Sequence, residues 1–260
     1  MTSYEESTLK ELYAWKEKMQ KPSSLFGDLS RNIQYRLNNL IPDKIHQYIT
    51  TAIKQMVKVV LFGSQHTTKK PKQNASLQLR EAYIREQIDF YKKTAATEGA
   101  ITGAGGILFG LADFPLLFSL KIKLLFDIAS LYGYNVKDYK ERIYILYIFQ
   151  LAFSSQVRRN QIFKIISNWE TYSQSLPVEL NDFNWRTFQQ EYRDYIDIAK
   201  LAQLIPIIGA PVGAIVNYRL LDRLGVTAIN AYRMRFLNTI PEIIATNTFK
   251  LNSSYKDDGG

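Results

Sequence analysis

The chain has 260 residues and a formal net charge of +9, from 33 Lys and Arg against 24 Asp and Glu. It has no cysteine, which excludes disulfide frameworks, thiolate nucleophiles, zinc ribbons and iron–sulfur clusters. The two histidines, His46 and His66, lie far from any other metal-ligand pattern, so we expect no His-rich metal site and no cofactor. The length suffices for one large or two small domains with a hydrophobic core.

The first predicted element is an amphipathic helix within residues 1–21. This segment is polar and lacks the apolar run of a secretory signal, so we expect the chain to begin on the cytoplasmic side of the membrane. Two capping boxes fit its start, Ser3 with Glu6 and Thr8 with Glu11. Apolar residues follow at helical spacing.

A second predicted helix lies at about residues 24–40, and a third is capped by Asp43 and stopped by Gly63. With a polar linker, 64–76, they complete a basic N-terminal segment. The first 93 residues hold 16 Lys and Arg against 9 Asp and Glu, and therefore most of the positive charge. Such a segment, joined to an apolar remainder, indicates an anionic membrane surface as partner, although a soluble protein with a basic surface is the alternative. The lysines that we predict to bind this surface are Lys44, Lys54, Lys58, Lys69, Lys70 and Lys72.

Helical periodicity dominates the rest of the chain, and no convincing strand-type alternation occurs. A long helical pattern starts near Leu77 and runs into a glycine-rich stretch, and Gly133 and Gly225 are predicted helix stops. Further helices are predicted at about 115–132, 138–156, 160–174, 185–204, 211–221 and 226–240. We predict an all-α, multi-helix bundle with these parts: N-terminal helices 1–63, linker 64–76, helical domain 77–240 and a largely disordered tail 241–260.

Glycines recur at helical spacing in the stretch Glu98–Leu120, EGAITGAGGILFGLADFPLLFSL. On a single helix, positions i, i+4, i+7 and i+11 share one face. Because glycine costs about 1 kcal/mol per helical position relative to alanine, four in register predict the close approach of another backbone. The four residues are Gly99, Gly103, Gly106 and Gly110.

A second stretch, Leu201–Asn217 (LAQLIPIIGAPVGAIVN), has a related pattern. Gly209 and Gly213 are four apart, and Asn217 lies one turn further along the same face. We therefore predict two glycine-rich, closely packed helices at the centre of the bundle. The offset of one residue between the two patterns leaves an internal duplication as a weak hypothesis.

Asp113 continues the first glycine stripe and has two compatible interpretations. Asp-Phe-Pro is typical of a helix start, with Asp113 as the N-cap and Pro115 in the first turn. Alternatively, Asp113 is a buried acid or ligand contact that pairs with Asn217 or Glu98. Glu98 and Asp113 are fifteen positions apart, about 22 Å along a straight helix, so they form no catalytic carboxylate pair unless the chain bends at the glycines.

The glycine-rich stretches raise the question of membrane insertion. Residues 101–120 have Asp113 as their single charge and are just long enough to span a bilayer. An acid and a proline within the segment disfavour a simple span. We expect a buried helical pair first, with interfacial insertion and a true span as the alternatives.

The sequence resembles the EcsC protein family in blocks spread over most of its length. The most specific blocks are KTAATEGAITGAGGILFGLADFP (Lys93–Pro115) and YRDYIDIAKLAQLIPIIGAPVGAIVNYRLL (Tyr192–Leu221). Further similar blocks are LYGYN (Leu131–Asn135), ERIYIL (Glu141–Leu146) and AYRMRFL (Ala231–Leu237). Bacterial proteins of this family are encoded beside the subunits of an ABC transporter, so the resemblance implies a transporter as a candidate partner. It implies no catalytic residues, because the family has no agreed set.

Two functions remain as hypotheses. The first is a non-enzymatic accessory protein, peripheral to or partly inserted in the inner face of the cell membrane. The second is a hydrolase acting on a lipid or peptide, with Glu98 and Asp113 as acids and Asn217 orienting the substrate. Nucleic acid is not expected as a partner, because the aromatic residues follow helical faces instead of interleaving with basic ones.

Overall fold

The computed structural model describes residues 2–21, 43–62, 74–104, 106–154, 156–184, 186–188 and 210–239. Within these ranges the chain is helical and contains no β-strand, which confirms the all-α prediction. A short 3₁₀ turn covers Leu180–Asp182. The α-helices, numbered in chain order, are α1 Ser3–Gln20, α2 Asp43–Phe62, α3 Leu77–Ala104, α4 Gly106–Tyr132, α5 Tyr139–Phe153, α6 Gln156–Ser167, α7 Trp169–Gln174 and α8 Ala210–Leu237.

The start of α1 differs from the prediction by one residue. Thr2, in an extended conformation, is the N-cap, and it forms a reciprocal capping box with Glu5. Ser3 is already helical, so neither predicted box is the one that forms, because an N-cap residue must lie outside the helix. The predicted helix at 24–40 lies outside the described residues. The third predicted helix is α2, which begins at Asp43, the residue predicted as its cap, and ends at Phe62, before the predicted stop at Gly63.

Helices α3 and α4 form an antiparallel hairpin. The Tyr91 hydroxyl donates to Asp127 Oδ2 at 2.8 Å, and Arg80 Nη1 donates to the Leu131 carbonyl at 2.9 Å, which fixes the register. At the open end Gly133 adopts φ +101°, and the Tyr134 amide donates to the Ala129 carbonyl. This is the hydrogen bond of a Schellman motif, so Gly133 ends its helix as predicted.

Gly225 does not end a helix, contrary to the prediction. α8 is 28 residues long, runs antiparallel to α3 and continues through Gly225 without a break. The reason is Ile88 of α3: a Cβ on Gly225 would lie 2.7 Å from Ile88 Cδ1 and 2.8 Å from Cγ1. The glycine therefore permits close approach of α3 and α8, which is the role that the sequence suggested for other glycines.

The core lies around α5, whose residues from Ile143 to Phe153 are all buried. The N-terminal helices contribute to the same core through Leu12 of α1 and Val57 of α2. The predicted domain boundaries stay a prediction, since most of the linker 64–76 and all of the tail 241–260 lie outside the described residues. None of the helices in the described ranges is long and apolar enough to span a bilayer.

Candidate functional site

The predicted glycine stripe does not lie along one helix. Gly99 and Gly103 belong to the end of α3, whereas Gly106 and Gly110 belong to the start of α4. The four glycines share one face only on a continuous helix, whereas one helix ends at Ala104 and the next begins at Gly106. The segment 101–120 is therefore shared by two helices and is not one spanning helix. Of the second pair, Gly213 is in α8, and Gly209 lies outside the described residues.

Asp113 is not an N-cap, which corrects the first of its two interpretations. α4 begins at Gly106, so both Asp113 and Pro115 lie within a helix that has already started. The start signal of Asp-Phe-Pro is overridden because the preceding residues are themselves helical. The side chain of Asp113 lies outside the described part of the structure, so its pairing with Asn217 or Glu98 stays a prediction.

The hairpin changes the geometry of Glu98 and Asp113. The chain does turn back at the glycines, so the two residues lie on different helices and not about 22 Å apart along one axis. Counting seven residues from the bond between Tyr91 and Asp127 along each antiparallel helix places Glu98 opposite Leu120, about 10 Å along α4 from Asp113. The separation along one straight helix therefore no longer applies, and the pairing of the two carboxylates stays a prediction.

Asn217 is fully buried and contacts a residue that the sequence reasoning missed. Its Oδ1 accepts a hydrogen bond from the Lys121 ammonium at 3.4 Å, which joins α8 to α4. Lys121 is also fully buried, and burial lowers its pKa to about 7. A signal was present: Lys121 follows Asp113 and Leu117 at four-residue spacing, on the face that the stripe defines.

A second polar cluster surrounds the buried carboxylate of Glu81 on α3. Arg233 of α8 donates to it twice, from Nε at 2.7 Å and from Nη2 at 2.5 Å. The hydroxyls of Tyr4 and Tyr132 add bonds of 2.8 and 3.0 Å. Burial alone would raise the pKa of Glu81, but these donors and the charge of Arg233 hold the pKa below its usual value.

A third cluster joins α5 to α8 around Glu141. Tyr232 donates to Glu141 Oε1 at 2.6 Å, and Arg235 Nη1 donates to Oε2 at 2.7 Å. The guanidinium of Arg235 also lies 3.9 Å from the ring centre of Tyr134 and 4.6 Å from that of Tyr144. Burial raises the pKa of Tyr134 to about 12, so this phenol is protonated at neutral pH.

These clusters hold helices together, and their polar groups already bond to one another. The carboxylate of Glu81 is held by an arginine and two tyrosine hydroxyls, and that of Glu141 by an arginine and one tyrosine hydroxyl, which disfavours both as general bases. Across the described ranges no group of three or more His, Asp and Glu is placed to hold a metal ion. The arrangement is that of an ion-paired, hydrogen-bonded scaffold.

The predicted membrane-binding lysines are described in part. Lys54 and Lys58 are exposed on α2, one turn apart. Lys44 belongs to the same helix, with its side chain outside the described part, and Lys69, Lys70 and Lys72 lie outside the described residues altogether.

Comparison with known proteins places the chain in a family. The model of the EcsC protein family matches residues 6–237. The chain is 46% identical to "Protein EcsC" of Bacillus subtilis (strain 168), over 88% of this chain and 94% of that protein. It is 29% identical to "Uncharacterized protein YdbA" of the same organism, over 87% of this chain and 90% of that protein. No solved structure matches. The extent of the family match and the identity to these relatives show that the chain belongs to the EcsC protein family.

Proposed function

We propose that this protein is a non-enzymatic accessory protein that binds the anionic inner face of the cell membrane through α2. The resemblance described above makes an ABC transporter the candidate partner at that surface. The observation that carries the membrane proposal is the distribution of side chains around α2, which separates an apolar side from a basic one.

The apolar side of α2 is committed to the bundle. Ile53, Val57 and Val60 are fully buried, and Arg142 of α5 donates to the Leu61 carbonyl at 2.7 Å. The exposed side has no acid among the residues of α2 whose side chains are described. It consists of Gln47, Thr51, Lys54, Gln55, Lys58 and Val59.

This surface suits electrostatic adsorption to anionic lipid. Lysines near such a surface contribute about 1 kcal/mol each, and the contribution falls with ionic strength. Val59, 60% exposed, adds an apolar side chain at the edge of the basic face. The neighbouring basic segment with Lys69, Lys70 and Lys72 adds positive charge close by in the sequence.

The test is co-sedimentation with vesicles that contain about one-third phosphatidylglycerol in phosphatidylcholine. Neutralising two lysines with Lys54→Gln and Lys58→Gln removes about 2 kcal/mol of attraction, so we expect a partition coefficient roughly 30-fold lower at low salt. Raising the salt tenfold should release much of the wild-type protein.

The matched control is Lys10→Gln with Lys164→Gln, which changes the charge equally at exposed positions of α1 and α6. We expect this variant to bind as the wild type does. Equal losses for the two variants, or wild-type protein that stays in the supernatant at low salt, would contradict the proposal.

A hydrolase acting on a lipid or peptide is the second candidate. What favours it is the α3–α4 hairpin, which places Glu98 and Asp113 on two adjacent antiparallel helices instead of about 22 Å apart along one helix. Its test is Asp113→Asn in a screen of lipid and peptide ester substrates. Lost turnover with an unchanged midpoint of thermal unfolding supports this candidate, and no turnover by the wild-type protein counts against it.

A further inference from the structure

Helix α1 lies in a groove formed by α3, α6 and α8. Its inward side presents two buried residues, Thr8 and Leu12, and four partly buried apolar ones: Tyr4, Leu9, Trp15 and Met19. An 18-residue helix with two buried side chains has a small share of the hydrophobic stabilisation of the fold. Specific contacts therefore carry much of its attachment.

Three contacts position α1 in the groove. Tyr4 donates to Glu81 of α3, and Glu11 Oε2 accepts from Arg233 Nη1 of α8 at 2.8 Å. The ring of Trp15 packs edge-on against Phe163 of α6, with 5.6 Å between the ring centres. Glu11 and Trp15 are four residues apart, so a carboxylate and an aromatic ring share one helical face.

The bundle keeps its buried ion pair when α1 leaves. Glu81 retains both bonds from Arg233 and the bond from Tyr132, all of which come from α4 and α8. The side chain of Glu11 is 58% exposed, so its return to full solvation costs little. Undocking therefore creates no unpaired buried charge, the event that makes the breaking of most buried ion pairs expensive.

Helix α8 also has an unused hydrogen-bond acceptor near Arg233. Asn230 lies three residues before Arg233 on the same side of α8 and is 6% exposed. Its Nδ2 donates to the Val226 carbonyl. In the part of the chain that the structure describes, Asn230 Oδ1 is the one buried side-chain polar atom without a hydrogen-bond partner. Such an atom can accept a hydrogen bond from a further donor.

We propose that α1 is a displaceable occupant of this groove, and that the groove binds an amphipathic helix of a partner protein. The partner helix carries a carboxylate for Arg233 and, four residues later, an aromatic ring for Phe163, as α1 does with Glu11 and Trp15. Binding replaces α1 and leaves the pair of Glu81 and Arg233 intact. This inference is independent of the lipid-binding proposal, because it concerns different helices.

A peptide of residues 1–21, labelled with a fluorophore, serves as the probe and is added to the full-length protein while its anisotropy is measured. The resident α1 competes with the peptide, so apparent affinity scales with the fraction of molecules whose groove is open. Glu11→Gln with Trp15→Ala in the full chain weakens the resident helix and leaves the groove unchanged. We expect this loosened variant to bind the peptide at least tenfold more tightly than the wild type does.

The matched control is Glu17→Gln with Tyr13→Ala, which makes the same types of change at exposed positions of α1. We expect wild-type affinity from it. Hydrogen exchange of residues 3–20 should be faster in the loosened variant alone. A peptide that carries Glu11→Gln and Trp15→Ala should bind the loosened protein at least tenfold more weakly than the native peptide does.

Two results would overturn the proposal. One is faster exchange of α1 in the loosened variant without tighter peptide binding, and the other is no change in exchange at all. Circular dichroism establishes that each variant is folded. Should the double variant fail to fold, Glu11→Gln alone provides the same comparison with Glu17→Gln as its control.

Discussion

Replacing Gly225 by alanine tests how closely α3 and α8 pack. At an unobstructed helical position, alanine in place of glycine stabilises by about 1 kcal/mol. At Gly225 the new Cβ would lie 2.7, 2.8 and 3.1 Å from three side-chain carbons of Ile88. Ile88 is β-branched and cannot rotate away freely on a helix, so overpacking near the upper end of its usual range, about 2–3 kcal/mol, opposes the gain. We expect Gly225→Ala to lower the free energy of unfolding by about 1–2 kcal/mol.

The same substitution should reverse its sign when Ile88 is truncated. Ile88→Ala removes all three contacting carbons and by itself costs about 2–5 kcal/mol. In that background alanine at 225 keeps its helical advantage and fills part of the cavity, so we expect a gain of about 1 kcal/mol. The coupling energy between the two positions is therefore about 2–3 kcal/mol.

Urea unfolding, followed by the circular dichroism signal at 222 nm, measures the four corners of this double-mutant cycle. Equal m-values are the control that the variants unfold from similarly compact states. An increase in stability of the same size in both backgrounds would refute the reasoning, because it would mean that the Cβ meets no obstruction from Ile88.

Two further predictions concern the buried polar groups. Lys121 has a folded pKa of about 7 and an unfolded pKa near 10.5, so between these values it is neutral in the folded protein and protonated in the unfolded one. The free energy of unfolding should therefore rise from pH 7 to 9.5 by up to ~1.4 kcal/mol per pH unit. Urea titrations should show that Lys121→Met abolishes this rise, and an unchanged slope would contradict the assignment. Tyr232→Phe removes a donor to the buried carboxylate of Glu141 and should lower the free energy of unfolding by about 1–3 kcal/mol. Tyr144→Phe removes a bond to the neutral Ala231 carbonyl and should cost about half as much in the same assay. Equal costs would show that the charge of Glu141 adds nothing to its hydrogen bond.

The sequence patterns predict the helices well where the signal is local. The apolar spacing of α2 and the stop at Gly133 depend on residues within a few turns, and both are confirmed. Gly225 could not be assigned in this way. In the sequence, a glycine that ends a helix looks the same as one that allows another helix to pack closely. The side chain that packs against Gly225 belongs to Ile88, which is far away in the sequence.

Spacing places Lys121 on the face of Asp113 and Leu117, but it does not reveal which charged side chains are buried. Lys121 and Lys123 stand two residues apart in the same apolar run, yet the first is fully buried and the second is about one-third exposed and paired with Asp127. Which of the two lysines is buried depends on which side of α4 packs against α8, and this is decided by tertiary structure. The arginine partners of Glu81 and Glu141 were missed for the same reason, since both come from the distant α8.

The order of synthesis gives α8 a particular importance. Glu81 and Lys92 emerge from the ribosome with α3, but their partners Arg233 and Asp222 follow 152 and 130 residues later. The hairpin of α3 and α4 has local contacts and can close early, whereas the seam with α8 must wait for nearly the whole chain. A nascent chain that stops short of α8 exposes the apolar side of α3 and an acid without its guanidinium. We expect a chain that ends before α8 to aggregate or to be degraded, because the apolar side of α3 stays uncovered.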